Sequence, residues 1–139
     1  MYSTKPVYII SSCLLGLCTR YDGKIKRYPK AETYLEEATL IPICPEQLGG
    51  LPTPREPADI QGGNAEDVLD RRAKVVTHSG LDVTDPFLVG AKQTLRIALQ
   101  QNVQTALLKA RSPSCGVHGI VGVTAALLKR HGIKTVEID

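Results

Sequence analysis

Tryptophan is absent from this chain, and aromatic residues together make up 4% of its 139 positions. Stacking single-stranded nucleic acid takes several exposed rings, so the composition argues against that kind of partner. No concentrated basic run is present either. Lys plus Arg exceed Asp plus Glu by only 17 − 14 = 3, whereas binding along a phosphate backbone uses a dense positive stripe. No apolar run approaches the ~18 residues of a membrane-crossing helix. The stretch Met1–Pro6 is polar and leads straight into a strand-like segment, so no export signal is expected and a reducing, cytoplasmic setting is the default. Internal repeats, low-complexity tails and paired C-x2-C knuckles are also missing.

What is present suits a packed core. Hydrophobic residues are 42% and charged residues 22%, a balance that folds rather than remains disordered. The length fits one domain, residues 1–139. Val7-Tyr8-Ile9-Ile10, Leu40-Ile41-Pro42-Ile43, Thr105–Ala110 and Ile133–Ile138 read as short strands. Pro42 counts against the second of these, because proline cannot donate to a ladder. Helical patterns lie at Ala31–Ala38, at Val121–Arg130 with Gly132 as its stop, and from Thr84 or Asp85 onward. In the last of these, Phe87, Leu88, Ala91, Leu95, Ala98 and Leu99 share one face.

Lys74–Thr77 and Leu81–Thr84 flank a Gly turn and predict a small hairpin. Gln47–Gly63, dense in Gly and Pro, predicts a long functional loop. Strands alternating with helices imply an α/β fold: a single-domain three-layer sandwich with a mostly parallel sheet and a small hairpin at one edge.

The cysteines are placed tellingly. Cys13 lies just past the first strand, Cys44 just past the second, and Cys115 follows the Thr105–Ala110 strand after a short loop. If those strands are parallel neighbours, the thiols meet at the carboxyl rim where open α/β sheets bind ligands. Three chemistries are then open. A structural zinc is one, although it usually takes paired knuckles. Unrelated buried thiols are another, although three equivalent strand ends argue against coincidence. An iron–sulfur cluster held from separate loops is the third, and three thiolates would leave one iron free for a substrate.

The neighbours of the thiols carry further options. Glu46, two residues after Cys44, can act as a general base or simply complete a helix N-terminus. Ser112 and Ser114 place two hydroxyls before Cys115 but are also ordinary turn residues. Asp22, in Tyr21-Asp22-Gly23, can accept a heterocyclic N–H or close its own turn. His78, His118 and His131 are isolated and are assigned to no metal.

Cys13-Leu14-Leu15-Gly16 with Arg20-Tyr21-Asp22-Gly23, Cys44-Pro45-Glu46 with Gly49-Gly50-Leu51-Pro52-Thr53-Pro54-Arg55, Lys109 through Gly116, and Gly122 through Leu128 together resemble, in order and over nearly the whole chain, the family named domain of unknown function 523. The resemblance implies a cluster-dependent enzyme that removes sulfur from thiolated uracil. By the same resemblance Cys13, Cys44 and Cys115 are the ligands of a 4Fe–4S cluster and Glu46 and Ser112 the catalytic pair, with Cys18 a spare thiol. Asp22 and Ser114, from their turn positions, are expected to contact the substrate.

The expected chemistry is hydrolysis of a small thiocarbonyl compound, a thiolated nucleobase or similar molecule. The alternative is a small carrier or scaffold for clusters or sulfide, which needs the thiols but neither Glu46 nor Ser112. The segment Val117–Val121 is shorter than the resemblance leads one to expect. It should lie over the same rim, leaving either a more open pocket or one completed by a second copy in a homodimer.

Overall fold

The computed structural model describes residues 4–139. In chain order the elements are β1 (Val7–Ser11), a 3-10 turn (Ser12–Leu15), α1 (Pro29–Glu32), β2 (Thr39–Ile43), α2 (Pro45–Leu48), β3 (Ala58–Gln61), α3 (Ala65–Leu69), β4 (Lys74–Thr77), α4 (Thr84–Gln100), β5 (Thr105–Lys109), α5 (Val123–Arg130) and β6 (Lys134–Ile138). The main sheet has the order β2-β1-β5-β6 and is parallel throughout. The chain builds β1 and β2 on one side and then crosses to build β5 and β6 on the other. A topological switch point therefore lies between β1 and β5.

Alternation along the strands buries both faces. Ile9, Ala106 and Leu108 pack with Ala98 of α4 and with Ala125 and Leu128 of α5. Ile10, Leu107 and Ile138 turn the other way, onto Leu14, Tyr28 and Ala31. One covering layer is thus two long helices, and the other is only the 3-10 turn, α1 and their connections. Pro42 is tolerated because β2 is an edge strand.

Several elements differ from the sequence expectations. The helix expected at Ala31–Ala38 is one turn, α1, followed by tighter turns with the Tyr34 amide donating to Ala31 and the Leu35 amide to Glu32. Thr33 helps close that segment, its hydroxyl donating to the Lys30 carbonyl at 2.7 Å. The Gly- and Pro-rich stretch contains β3, and it is β3 that pairs antiparallel with β4. Residues 81–84 contribute only an isolated bridge, Val76 with Asp82. Asp82 instead accepts the Thr84 amide at 2.9 Å and the Thr84 hydroxyl at 2.6 Å, which starts α4 before a strand can form.

The β3–β4 pair and α3 pack through Val75 and Val68 against Phe87, Leu88 and Ala91 of α4 and Val123 and Leu127 of α5. Leu99, expected on the buried face of α4, is 57% exposed.

Candidate active site at the strand ends

The strand order sets the carboxyl ends of β2, β1 and β5 side by side. Cys13 sits in the 3-10 turn after β1, Cys44 joins β2 to α2, and Cys115 lies between β5 and α5. All three line one cavity of about 540 Å³, and none is in a disulfide. Cys115 is only 4% exposed, and its burial pushes the thiol up to about 12. Burial also raises Cys13, against the pull of the Lys109 ammonium. Cys44 is raised by burial too, with the Gln47 amide and the Arg55 charge opposing. The thiols also act on one another, Cys44 raising Cys13 and Cys13 raising Cys115.

Two close backbone approaches hold the thiol-bearing loops. α2 crosses α4 where Gly49 and Gly90 face each other. A Cβ on Gly90 would lie 1.9 Å from the Pro45 carbonyl oxygen, and one on Gly49 1.9 Å from that of Pro86. This contact fixes the short helix that follows Cys44 and carries Glu46. The loop from Ser112 to Cys115 docks on the start of α5, whose Val123 and Thr124 amides donate to Pro113 and Ser114, each at 2.9 Å. These bonds satisfy helix donors that would otherwise be orphaned. Gly122 makes the approach feasible, since a Cβ there would meet the Ser114 carbonyl carbon at 2.2 Å and the Cys115 nitrogen at 2.4 Å.

Within the cavity, Glu46 is held from two sides. Arg55 donates from Nε to Oε1 at 2.8 Å, and the Ser114 hydroxyl donates to Oε2 at 2.9 Å. Both ion-pair partners are nearly buried, at 8% and 12% side-chain exposure for Arg55 and Glu46. Ser112 Oγ accepts the Ser114 amide at 3.2 Å and the Cys115 amide at 3.1 Å, and it lies 3.0 Å from Ser114 Oγ. With its acceptor capacity taken by two backbone amides, the Ser112 hydroxyl has chiefly its proton left to offer. Ser114, donating to Glu46, receives that proton's hydrogen bond. The order is Ser112 to Ser114 to Glu46.

Of the residues singled out from sequence, Cys13, Cys44, Cys115, Glu46, Ser112 and Ser114 all line the cavity, and Asp22 does not. The Asp22 carboxylate takes the fork of Arg20, Nε to Oδ1 at 3.1 Å and Nη2 to Oδ2 at 2.9 Å. It also accepts the Lys24 amide at 3.0 Å. That pairing holds its carboxyl far below the usual range and aims Arg20, which lines the cavity, toward the Tyr28 hydroxyl at 2.9 Å. Cys18 is exposed, outside the cavity, and donates to the Gly23 carbonyl at 3.3 Å.

Residues 117–121 do not line the cavity. The Val117 and His118 amides are tied to Glu137 of β6, at 3.1 and 3.0 Å, which draws the segment away from the rim. Arg55 and Lys109 were missed as site residues by sequence reasoning. The signal lay in their positions, a lone Arg within a Gly- and Pro-rich stretch and a Lys at the end of a buried strand. Burial lowers Lys109, whose ammonium lies 5.7 Å from the centre of the Tyr28 ring.

Among the described residues, no three His, Cys, Asp or Glu side chains are gathered tightly enough to hold a single metal ion. A tetrahedral zinc needs its sulfurs at ~2.3 Å from one centre, so the single-zinc alternative finds no support here. A four-iron core binds each thiolate at a different iron and suits donors spread around a cavity wall. The donor set fits such a core chemically. It offers soft sulfurs, with Arg20, Arg55 and Lys109 beside them to balance negative charge. Raised thiols of this kind give up their protons when metal binds.

Fold and cavity together define a parallel α/β protein with a thiol-walled site at its switch point and a clamped carboxylate inside it. The chain belongs to the 2-thiouracil desulfurase family, whose model matches residues 8–139. It is 44% identical to the uncharacterized protein YbbK of Bacillus subtilis (strain 168), over 92% of this chain and 93% of that one. It is also similar to the solved structure of the 4Fe–4S-dependent thiouracil desulfidase TudS. The two share 41% identity and a TM-score of 0.80, over 96% of this chain and 91% of the other.

Proposed function

We propose that this chain is a 4Fe–4S-dependent desulfidase that hydrolyses a thiolated nucleobase or a similar small thiocarbonyl compound. Cys13, Cys44 and Cys115 would hold the cluster. The observation that carries the reading is the shared cavity: three thiols, the Arg55-clamped Glu46 and the Ser112–Ser114 pair face the same space. A mere carrier of clusters or sulfide has no use for a clamped carboxylate and two ordered hydroxyls.

The group supplies, when bound, a soft Lewis acid that draws on a thiocarbonyl sulfur. Glu46 takes a proton from the water that attacks the thiocarbonyl carbon. The Ser112 hydroxyl would turn its proton from Ser114 to the charge that develops there. Ser114 keeps the second oxygen of Glu46 in place. The reaction balances without electron transfer: water and the thiocarbonyl compound give the carbonyl compound and hydrogen sulfide.

The test is to reconstitute the protein anaerobically, add 2- and 4-thiouracil, and follow both thiocarbonyl absorbance and released sulfide. Turnover is expected. Glu46→Gln should keep the visible cluster absorbance while the rate falls by about 10² or more. Inactivity of the loaded wild type would overturn the reading, and full activity of Glu46→Gln would remove Glu46 from the mechanism.

A further inference from the structure

Arg55 reaches its partners with every N–H it has. Nε donates to Glu46 Oε1 at 2.8 Å, and Nη1 donates to the Pro52 carbonyl at 3.1 Å and to Thr53 Oγ1 at 2.9 Å. Nη2 donates to the Thr19 carbonyl at 2.9 Å and faces Cys44 Sγ at 3.9 Å. A guanidinium has five donors in a rigid planar fork, and here none is left for solvent or ligand. The side chain is 8% exposed.

One rigid cation therefore ties together the loop that follows Cys13, the Gly- and Pro-rich stretch, the candidate base and a candidate ligand sulfur. A purely structural arginine would be served by the carbonyls and Thr53. The additional pair, a buried carboxylate and a thiol on the cavity wall, has a chemical meaning.

We infer that Arg55 is a positioning residue that couples the general base to the thiolate site: it aims Glu46 at the reacting carbon and places positive charge beside the Cys44 sulfur. The inference rests on the desulfidase reading for its first half and on the cysteine set for its second. Misplacing a reacting group by about an ångström can cost about 10²-fold in rate, the loss expected when the fork no longer grips the carboxylate. A cation beside a ligand sulfur favours the reduced, more negative form of a cluster, so removing the cation should drive the reduction potential downward.

The experiment compares wild type, Arg55→Gln and Arg55→Lys after anaerobic reconstitution. It measures iron and sulfide content, the reduction potential from the visible absorbance, and kcat and KM with 4-thiouracil. Both variants should hold wild-type iron. Arg55→Gln should lose about 10²-fold in kcat with little change in KM, and its potential should become more negative. Arg55→Lys keeps the charge without the fork, so it should retain the potential while kcat still falls.

That split between charge and shape is one that a scaffold residue would not produce. Wild-type kcat and potential in Arg55→Gln would overturn the inference. Loss of iron together with a lowered melting point in both variants would also overturn it, by making Arg55 a folding residue. If no form turns over thiouracil, the desulfidase reading fails, and the potential of Arg55→Gln still decides whether the arginine acts on Cys44.

Discussion

A side chain's use in this molecule follows from what its neighbours leave it free to do. Asp22 looked available in a turn, but its carboxylate is consumed by the planar fork of Arg20 and by the Lys24 amide. Ser112 and Ser114 look interchangeable in sequence, yet the first is fixed by two backbone amides and the second by Glu46. Cys18 shows the opposite case, an exposed thiol whose contact is the Gly23 carbonyl. Cys18→Ser is therefore expected to leave iron content and turnover at wild-type levels after anaerobic reconstitution. Iron loss in that variant would make Cys18 a ligand and revise the three-thiol set.

Among the elements, the short ones and their loops carry the candidate site residues and the longer helices hold them. α4 and α5 carry none of the candidate site residues, but Gly90 of α4 admits Pro45, and Gly122 at the start of α5 admits the Ser114–Cys115 peptide. Gly122→Ala places a methyl group where backbone atoms already stand, and backbone cannot swing aside as a side chain can. Overpacking of this kind costs about 1–3 kcal/mol or more. The variant should unfold at a lower denaturant midpoint and bind less iron, because the loop carrying Cys115 must shift. Wild-type iron binding and midpoint would show that the loop is not held by this contact. The four strands of the main sheet, β4 and α4 were legible from apolar runs and helical spacing, whereas β3 was read as loop. The pairing of β3 with β4 was not legible, since Gly and Pro crowd the stretch around β3 and its partner lies beyond a helix.

At the scale of the whole molecule, pH bears on stability with a definite sign. The carboxyls of Asp22, Glu32, Asp82, Glu137 and Asp139 all lie below their ordinary range. For Asp22 the Arg20 fork is the main cause, and for Glu137 it is the His118 amide. A carboxylate depressed in the folded state stabilises the fold above its unfolded pKa, and that contribution is lost as pH falls through the folded value. Glu32, Asp82 and Asp139 are open to solvent and count for little. The melting temperature should hold from pH 7 to about 5 and then fall as the usual carboxylate range is crossed. A flat profile down to pH 3 would contradict this account.

From the sequence alone came the element pattern, the placing of Cys13, Cys44 and Cys115 beyond strand-like runs, and the proximity of Glu46 and both serines to those thiols in the chain. Such features are local, and local backbone preference and short-range order express them directly. Tertiary structure alone decided that β2, β1 and β5 are consecutive neighbours, so that thiols as far apart as Cys13 and Cys115 face one cavity. It also decided that Arg55, rather than solvent, meets Glu46, and that Asp22 turns to Arg20. Contacts of this kind depend on which strand lies beside which and on how the chain's polar groups satisfy one another once buried. No short window of residues contains that information.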